Sequence, residues 1–197
     1  MRIIRINKFL AEEESVDWLV ADLLPNVGWT LLYGQRGLGK TTFAMQMCEA
    51  LHTGKPFLGH TVKQTNIVYV QADSVALEWK EILKRVAPLS TGWTVVSVPD
   101  YAMDNPEYRS ALSNLVHKPG MNTGYLVFDS LYNLTQKDVN TKSILSTIAD
   151  MNIIAAGLPW LLIHHPRKDG EIYSGHNSIG GNCSNEWHLL KNKLPVG

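Results

Sequence analysis

Eight consecutive residues, Gly34-Gln35-Arg36-Gly37-Leu38-Gly39-Lys40-Thr41, constrain this chain more than any other stretch of it. They satisfy G-x-x-x-x-G-K-[ST] at every fixed position. The context is also the required one: an apolar run at 29–33 (WTLLY) precedes them, and a segment with helical spacing follows. The spacing has a chemical reason. Glycines let successive backbone N–H groups turn inward around an anion. A helix starting near Lys40 adds the positive end of its dipole. Lys40 is expected to bridge the β- and γ-phosphates of a nucleoside triphosphate, and Thr41 to offer its hydroxyl to Mg2+. The nucleotide-contacting set is Gly34, Gln35, Arg36, Gly37, Leu38, Gly39, Lys40, Thr41 and, in the first helical turn, Thr42. For Arg36, phosphate, a neighbouring subunit and solvent are all open as partners.

The rest of the chain alternates between strand-like and helix-like segments. Residues 40–53 place Phe43, Met47, Ala50 and Leu51 on one helical face, with Gly54 as the stop. Further helices are expected at 75–87, stopped before Pro88, at 106–117 with Asp104 or Asn105 as cap, and at 141–156. Strands are expected at 66–72, 93–98, 125–129, 160–164 and 186–191. Strands that are apolar throughout, separated by helices, predict an α/β fold: a mostly parallel central sheet with helices on both faces. The strand at 125–129 (YLVFD) ends in Asp129. A carboxylate at the C-terminal end of a buried parallel strand lies beside the phosphate loop, where it can hold Mg2+. Asp129 is thus the second expected metal residue, with Thr41. The longest irregular stretch, about 166–184, is rich in Gly, Ser, Asn and charge, as functional loops are.

Composition narrows the class further. With 197 residues, the chain fits one domain (16–197) behind a short N-terminal arm (1–15). Its formal net charge is zero, so composition itself gives no support for a nucleic-acid partner. No apolar run approaches the ~18 residues of a membrane span, and the start, MRIIRINKF followed by AEEES, lacks the apolar core of a secretory signal. Cys48 and Cys183 form no C-x-x-C pair and read as two reduced thiols. A cytoplasmic protein without a membrane partner is expected.

From about Trp18 onward, several segments resemble the RecA-fold P-loop ATPases, most closely the branch of RepA-type hexameric helicases and related phage and mobile-element ATPases. These are Asp17-Trp18-Leu19-Val20 with Leu24-Pro25 before the loop, Gly54-Lys55-Pro56-Phe57-Leu58-Gly59 after the first helix, Ile163-His164-His165-Pro166-Arg167-Lys168 at a strand end, and Gly175-His176-Asn177-Ser178-Ile179-Gly180-Gly181 beyond it. The resemblance implies ATP and Mg2+ as ligands and three further roles. Asp73, in Val70-Gln71-Ala72-Asp73-Ser74, falls where the family has the carboxylate that activates the attacking water, usually Glu. The shorter Asp implies an extra water or slow hydrolysis, and the same residue also suits a helix N-cap. His164 falls where the family has a γ-phosphate sensor. His164 and His165 are adjacent and point to opposite faces, so only one can address the nucleotide; a zinc pair completed by His176 matches no standard spacing. Lys191 and Lys193 align with a K-x-K or K-x-R pair that reaches a neighbouring subunit's nucleotide, though the string also suits a solvated basic terminus. Catalysis would therefore rest on Lys40, Asp73, Asp129, His164, Lys191 and Lys193.

In such motors the loops after the Asp129 and His164 strands face a central axis. Here they offer Lys137 with Tyr132, and Arg167 and Lys168 with Tyr173, as contacts to nucleic acid. The resemblance thus implies a homo-oligomer, a hexameric ring or filament, acting on single-stranded DNA. Three functions stay open: a helicase-type motor, a recombinase or annealing filament, and a slow-turnover assembly switch.

Overall fold

The computed structural model of the chain describes residues 5–11, 16–72, 76–86, 92–165 and 179–191. After a short helix α1 (Ile6–Ala11), a small antiparallel hairpin, β1 (Trp18–Val20) with β2 (Leu24–Pro25), leads into the main sheet. That sheet has six strands: β3 (Trp29–Gly34), β4 (Asn66–Gln71), β5 (Thr94–Ser97), β6 (Thr123–Asp129), β7 (Trp160–His164) and β8 (Asn185–Leu189). Their order is β5-β4-β6-β7-β3-β8 and every pair is parallel. The α/β architecture expected from the alternating pattern is therefore the one observed.

Parallel strands need crossovers, and the helices provide them. Helix α2 (Lys40–Thr53) leaves β3 directly after the glycine-rich loop. Gly54, left-handed at φ 71°, closes it by donating its N–H to Ala50 O. Helix α3 (Ala76–Val86) follows β4, and α4 (Pro106–Val116) follows β5. Of the two cap candidates for α4, Asn105 is the one used: its side chain accepts from Glu107 N at 2.8 Å. Asp104 instead accepts from Thr135 Oγ1 and Gln136 N, both at 2.6 Å, and so anchors the segment after β6. That segment opens with α5 (Leu131–Leu134), and α6 (Ile144–Ala155) leads to β7.

Alternation along each strand sends side chains to two cores. On one face Leu32, Ile67, Tyr69, Tyr125, Val127, Leu161 and Ile163 pack under α2 and α3 with the hairpin residues Leu19, Val20 and Leu24. On the other, Leu31, Tyr33, Val68, Val70, Leu126, Phe128 and Leu162 meet Leu112 of α4 and Ile148 and Met151 of α6. Trp29 and Trp160 stack at 4.8 Å within this second core. Each fully buried Leu, Ile or Val contributes about 1.5–3 kcal/mol. The fold is a three-layer sandwich, with the central strands of the sheet buried on both faces.

No helix among the described residues is long and apolar enough to cross a membrane.

Candidate nucleotide-binding site

Strand order places the site. From β3 the chain crosses over to β4, on the far side of β6 and β7, whereas β7 leads on to β8 on the other flank of β3. The crevice at the carboxyl ends near β3 is the switch point at which open α/β sheets bind ligands. The glycine-rich loop sits there.

Three glycines give the loop its shape. A Cβ on Gly34 would meet the Leu189 carbonyl oxygen at 2.6 Å, so only glycine lets β3 end this close to β8. Gly37 and Gly39 have φ of 83° and 85°, the left-handed region that other residues rarely enter. Lys40, 6% exposed, folds over the loop and donates from Nζ to Gly34 O at 2.7 Å and Gln35 O at 3.1 Å. Its ammonium is thereby poised inside the loop, and phosphate oxygens can replace these carbonyls as acceptors. Gln35, Arg36 and Gly37 are exposed, while Leu38, Gly39, Thr41 and Thr42 are half-buried.

The Asp129 carboxylate, 1% exposed, meets the loop from β6. Thr41 Oγ1 donates to Asp129 Oδ2 at 2.9 Å. A hydroxyl and a carboxylate in contact at a loop built for anions are the hard oxygen donors that Mg2+ prefers. Thr41 and Asp129 therefore fit the ion, and they would hold it against the nucleotide's phosphates. Among the described residues, no group of three or more His, Cys, Asp and Glu side chains forms a separate metal centre.

One more side chain belongs to this cluster, and sequence reasoning missed it. Tyr69 of β4, fully buried, donates its hydroxyl to the same Asp129 Oδ2 at 2.6 Å. Its one sequence signal is a lone hydroxyl within the buried run NIVYV. What that hydroxyl reaches depends on the register that pairs Gln71 of β4 with Asp129 of β6. Gln71 is buried and accepts from Ser97 Oγ at 3.1 Å. Just beyond it, Ala72 N donates to Asp129 O at 2.7 Å and Asn133 Nδ2 donates to Ala72 O at 3.1 Å. The chain that leads towards Asp73 is thus pinned at Ala72; Asp73 itself lies outside the described residues.

Three further expected residues, His164, Lys191 and Lys137, lie among the described ones. His164, 1% exposed, ends β7 in register with Tyr33, which is also in register with His188 of β8. Tyr33 and His188 stack at 4.3 Å. By alternation His164 leaves the sheet on the face of Leu162, opposite to the face of Val127 and Asp129. His165, the next residue, is half-buried. Lys191 is exposed just past β8. Lys137 is held in its own segment, donating to Ser146 Oγ at 2.9 Å with Asp104 at 4.0 Å. Lys193, Arg167, Lys168, Tyr173 and His176 lie outside the described residues. Cys48 lies on the buried face of α2, where desolvation pushes its thiol well above its ordinary range.

Comparison with known proteins agrees with this geometry. No curated protein matches the sequence. In structure the chain is similar to the crystal structure of the RadB recombinase, with a TM-score of 0.52 and 19% identity, covering 85% of this chain and 76% of that one. A family model described as an AAA domain matches residues 2–171. With that match, the phosphate loop on β3 and the Asp129 carboxylate on β6, the chain belongs to the AAA domain family and has the fold of a RecA-like P-loop ATPase.

Proposed function

We propose that this protein is an ATP-hydrolysing motor of the RepA-type helicase branch that acts on single-stranded DNA and completes its active site between subunits. The observation that carries the ATPase part is the convergence of Lys40, Thr41 and Asp129 at the carboxyl edge of the sheet. Lys40 exchanges the loop carbonyls for the β- and γ-phosphates and neutralises charge as it builds on the leaving oxygen. Thr41 and Asp129 would hold a magnesium ion, which would supply positive charge to offset that of the phosphates. Asp73 orients the attacking water in line with the γ-phosphorus. His164, at the end of β7, reads the presence of the γ-phosphate. Lys191 and Lys193 reach across to the nucleotide of the neighbouring copy, in a hexameric ring or a filament. Arg167 and Lys168, with Lys137, contact the DNA backbone.

A filament-forming recombinase uses the same chemistry, and the fold likeness to a recombinase favours it as the second reading. The shorter reach of Asp73 compared with the family's Glu supports a third, a slow nucleotide switch.

Steady-state phosphate release against protein concentration, with and without single-stranded DNA, separates these readings. For the motor, turnover per subunit rises with concentration and with DNA and collapses in Lys193→Ala. Tight nucleotide binding with turnover near zero, unmoved by DNA, would sink the motor and leave the switch. Negative-stain imaging with DNA and a non-hydrolysable analogue distinguishes ring from filament.

A further inference from the structure

The hydroxyl of Tyr69 lies 2.6 Å from Asp129 Oδ2, the same oxygen that accepts from Thr41 at 2.9 Å. The carboxylate is therefore gripped from two sides, by the phosphate-loop helix and by the neighbouring strand. The Tyr69 ring is buried against two tryptophans. It meets Trp79 of α3 edge-on at 5.4 Å and Trp93, just before β5, at 5.8 Å. The two tryptophans contact each other at 6.4 Å, and Trp93 Nε1 donates to Glu49 Oε2 of α2 at 3.3 Å. An aromatic clamp built from α2, α3 and the start of β5 thus fixes one hydroxyl, and that hydroxyl fixes one carboxylate oxygen.

We propose that Tyr69 is a positioning residue for divalent-cation binding: it holds Asp129 in the orientation the ion requires and ties that orientation to the Trp79–Trp93 pair. This rests on the nucleotide-site reading above. Thr41 has to turn a lone pair of its hydroxyl towards the ion while its proton stays on Asp129. The carboxylate could then pivot about that one hydrogen bond, and the Tyr69 hydroxyl, bonded to the same oxygen, restrains it. Groups that orient a metal ligand from behind are worth about 10–100-fold in metal affinity. The same contact makes the tryptophan pair an optical reporter, because a shift of Asp129 moves the Tyr69 hydroxyl and the ring in van der Waals contact with Trp79.

The test is Tyr69→Phe, which removes one oxygen and keeps the ring. Magnesium affinity is measured by calorimetry on protein saturated with a non-hydrolysable ATP analogue, and tryptophan emission is followed in the same titration. The expected result is a magnesium affinity about tenfold weaker, an emission response that is lost, and unchanged affinity for the analogue in EDTA, which reports an intact fold and phosphate loop. Trp79→Phe, which leaves the Tyr69 hydroxyl and an aromatic ring in place, is expected to keep the magnesium affinity and to diminish the emission response, with Trp93 still against Tyr69. A Tyr69→Phe protein with the wild-type magnesium affinity, or a tighter one, overturns the positioning role while leaving the nucleotide site standing. Wild-type protein that binds no analogue in EDTA or magnesium overturns the nucleotide site and the role of Tyr69 with it.

Discussion

The two faces of the central sheet end differently at its carboxyl edge. On the α2 face, β3, β4 and β6 end in a polar cluster: Lys40 over the loop carbonyls, and Thr41 and Tyr69 on Asp129. On the α4–α6 face, the row His164, Tyr33 and His188 lies across β7, β3 and β8, above a core of aliphatic and tryptophan side chains. Asp129 and His164 are equally buried, yet only the first edge concentrates opposite charge and oxygen donors around a glycine-rich loop. The contrast teaches that burial alone does not mark the site. It is marked by buried charge held in a geometry a ligand can take over.

If the faces divide labour in this way, a cavity on the α4–α6 face costs stability and leaves nucleotide binding intact. Leu162, fully buried there, is the sharpest case. Leu162→Ala is expected to lose about 2–5 kcal/mol in chemical denaturation, with the affinity of the folded protein for an ATP analogue unchanged. A parallel loss of affinity would break the division.

On the α2 face the converse holds. Lys40→Ala is expected to lower phosphate release by about a hundredfold or more, with the denaturation midpoint little changed. Gly34 joins the two effects, because a Cβ there meets backbone rather than a movable side chain. Gly34→Ala is expected to cost about 1–3 kcal/mol and to weaken analogue binding together with stability. The smallest effect belongs to the cap of α4, remote from the nucleotide. Asn105→Ala is expected to cost about 1 kcal/mol and to leave turnover per folded molecule untouched.

How far each region could be read from sequence follows the same line. The phosphate loop is contiguous, and every contact it makes with itself is set by residues a few positions apart, so Gly34 to Thr41 was legible together with the strand and helix that flank it. The main strands and helices were legible for a related reason: their apolar periodicity is local, and their ends shift by only a few residues. The segment at 141–156 is helical only from Ile144, because Asp138 accepts from Asn140 N and Thr141 Oγ1 in a turn just before it. Helix α5, a single turn, is too short to show a period, and the β1–β2 hairpin has too few residues to alternate.

Tyr69 was not legible, because its partner lies 60 positions away and is chosen by strand register. The face of His164 was not legible either: adjacency places His164 and His165 on opposite sides, and only the pairing with Tyr33 says which side is which. The partners of Lys137 were not legible: Ser146 of α6 and Asp104 just before α4 come beside it only in the fold.

The most direct test of the central claim, that the α2 face of the carboxyl edge is a nucleotide-magnesium site, is equilibrium binding of a fluorescent ATP analogue. It is measured with and without magnesium for the wild type, Lys40→Ala and Thr41→Ala. A nucleotide-magnesium site there gives binding to the wild type that magnesium tightens, binding lost in Lys40→Ala, and binding that no longer responds to magnesium in Thr41→Ala. Equal affinity in all three proteins, indifferent to magnesium, would contradict it.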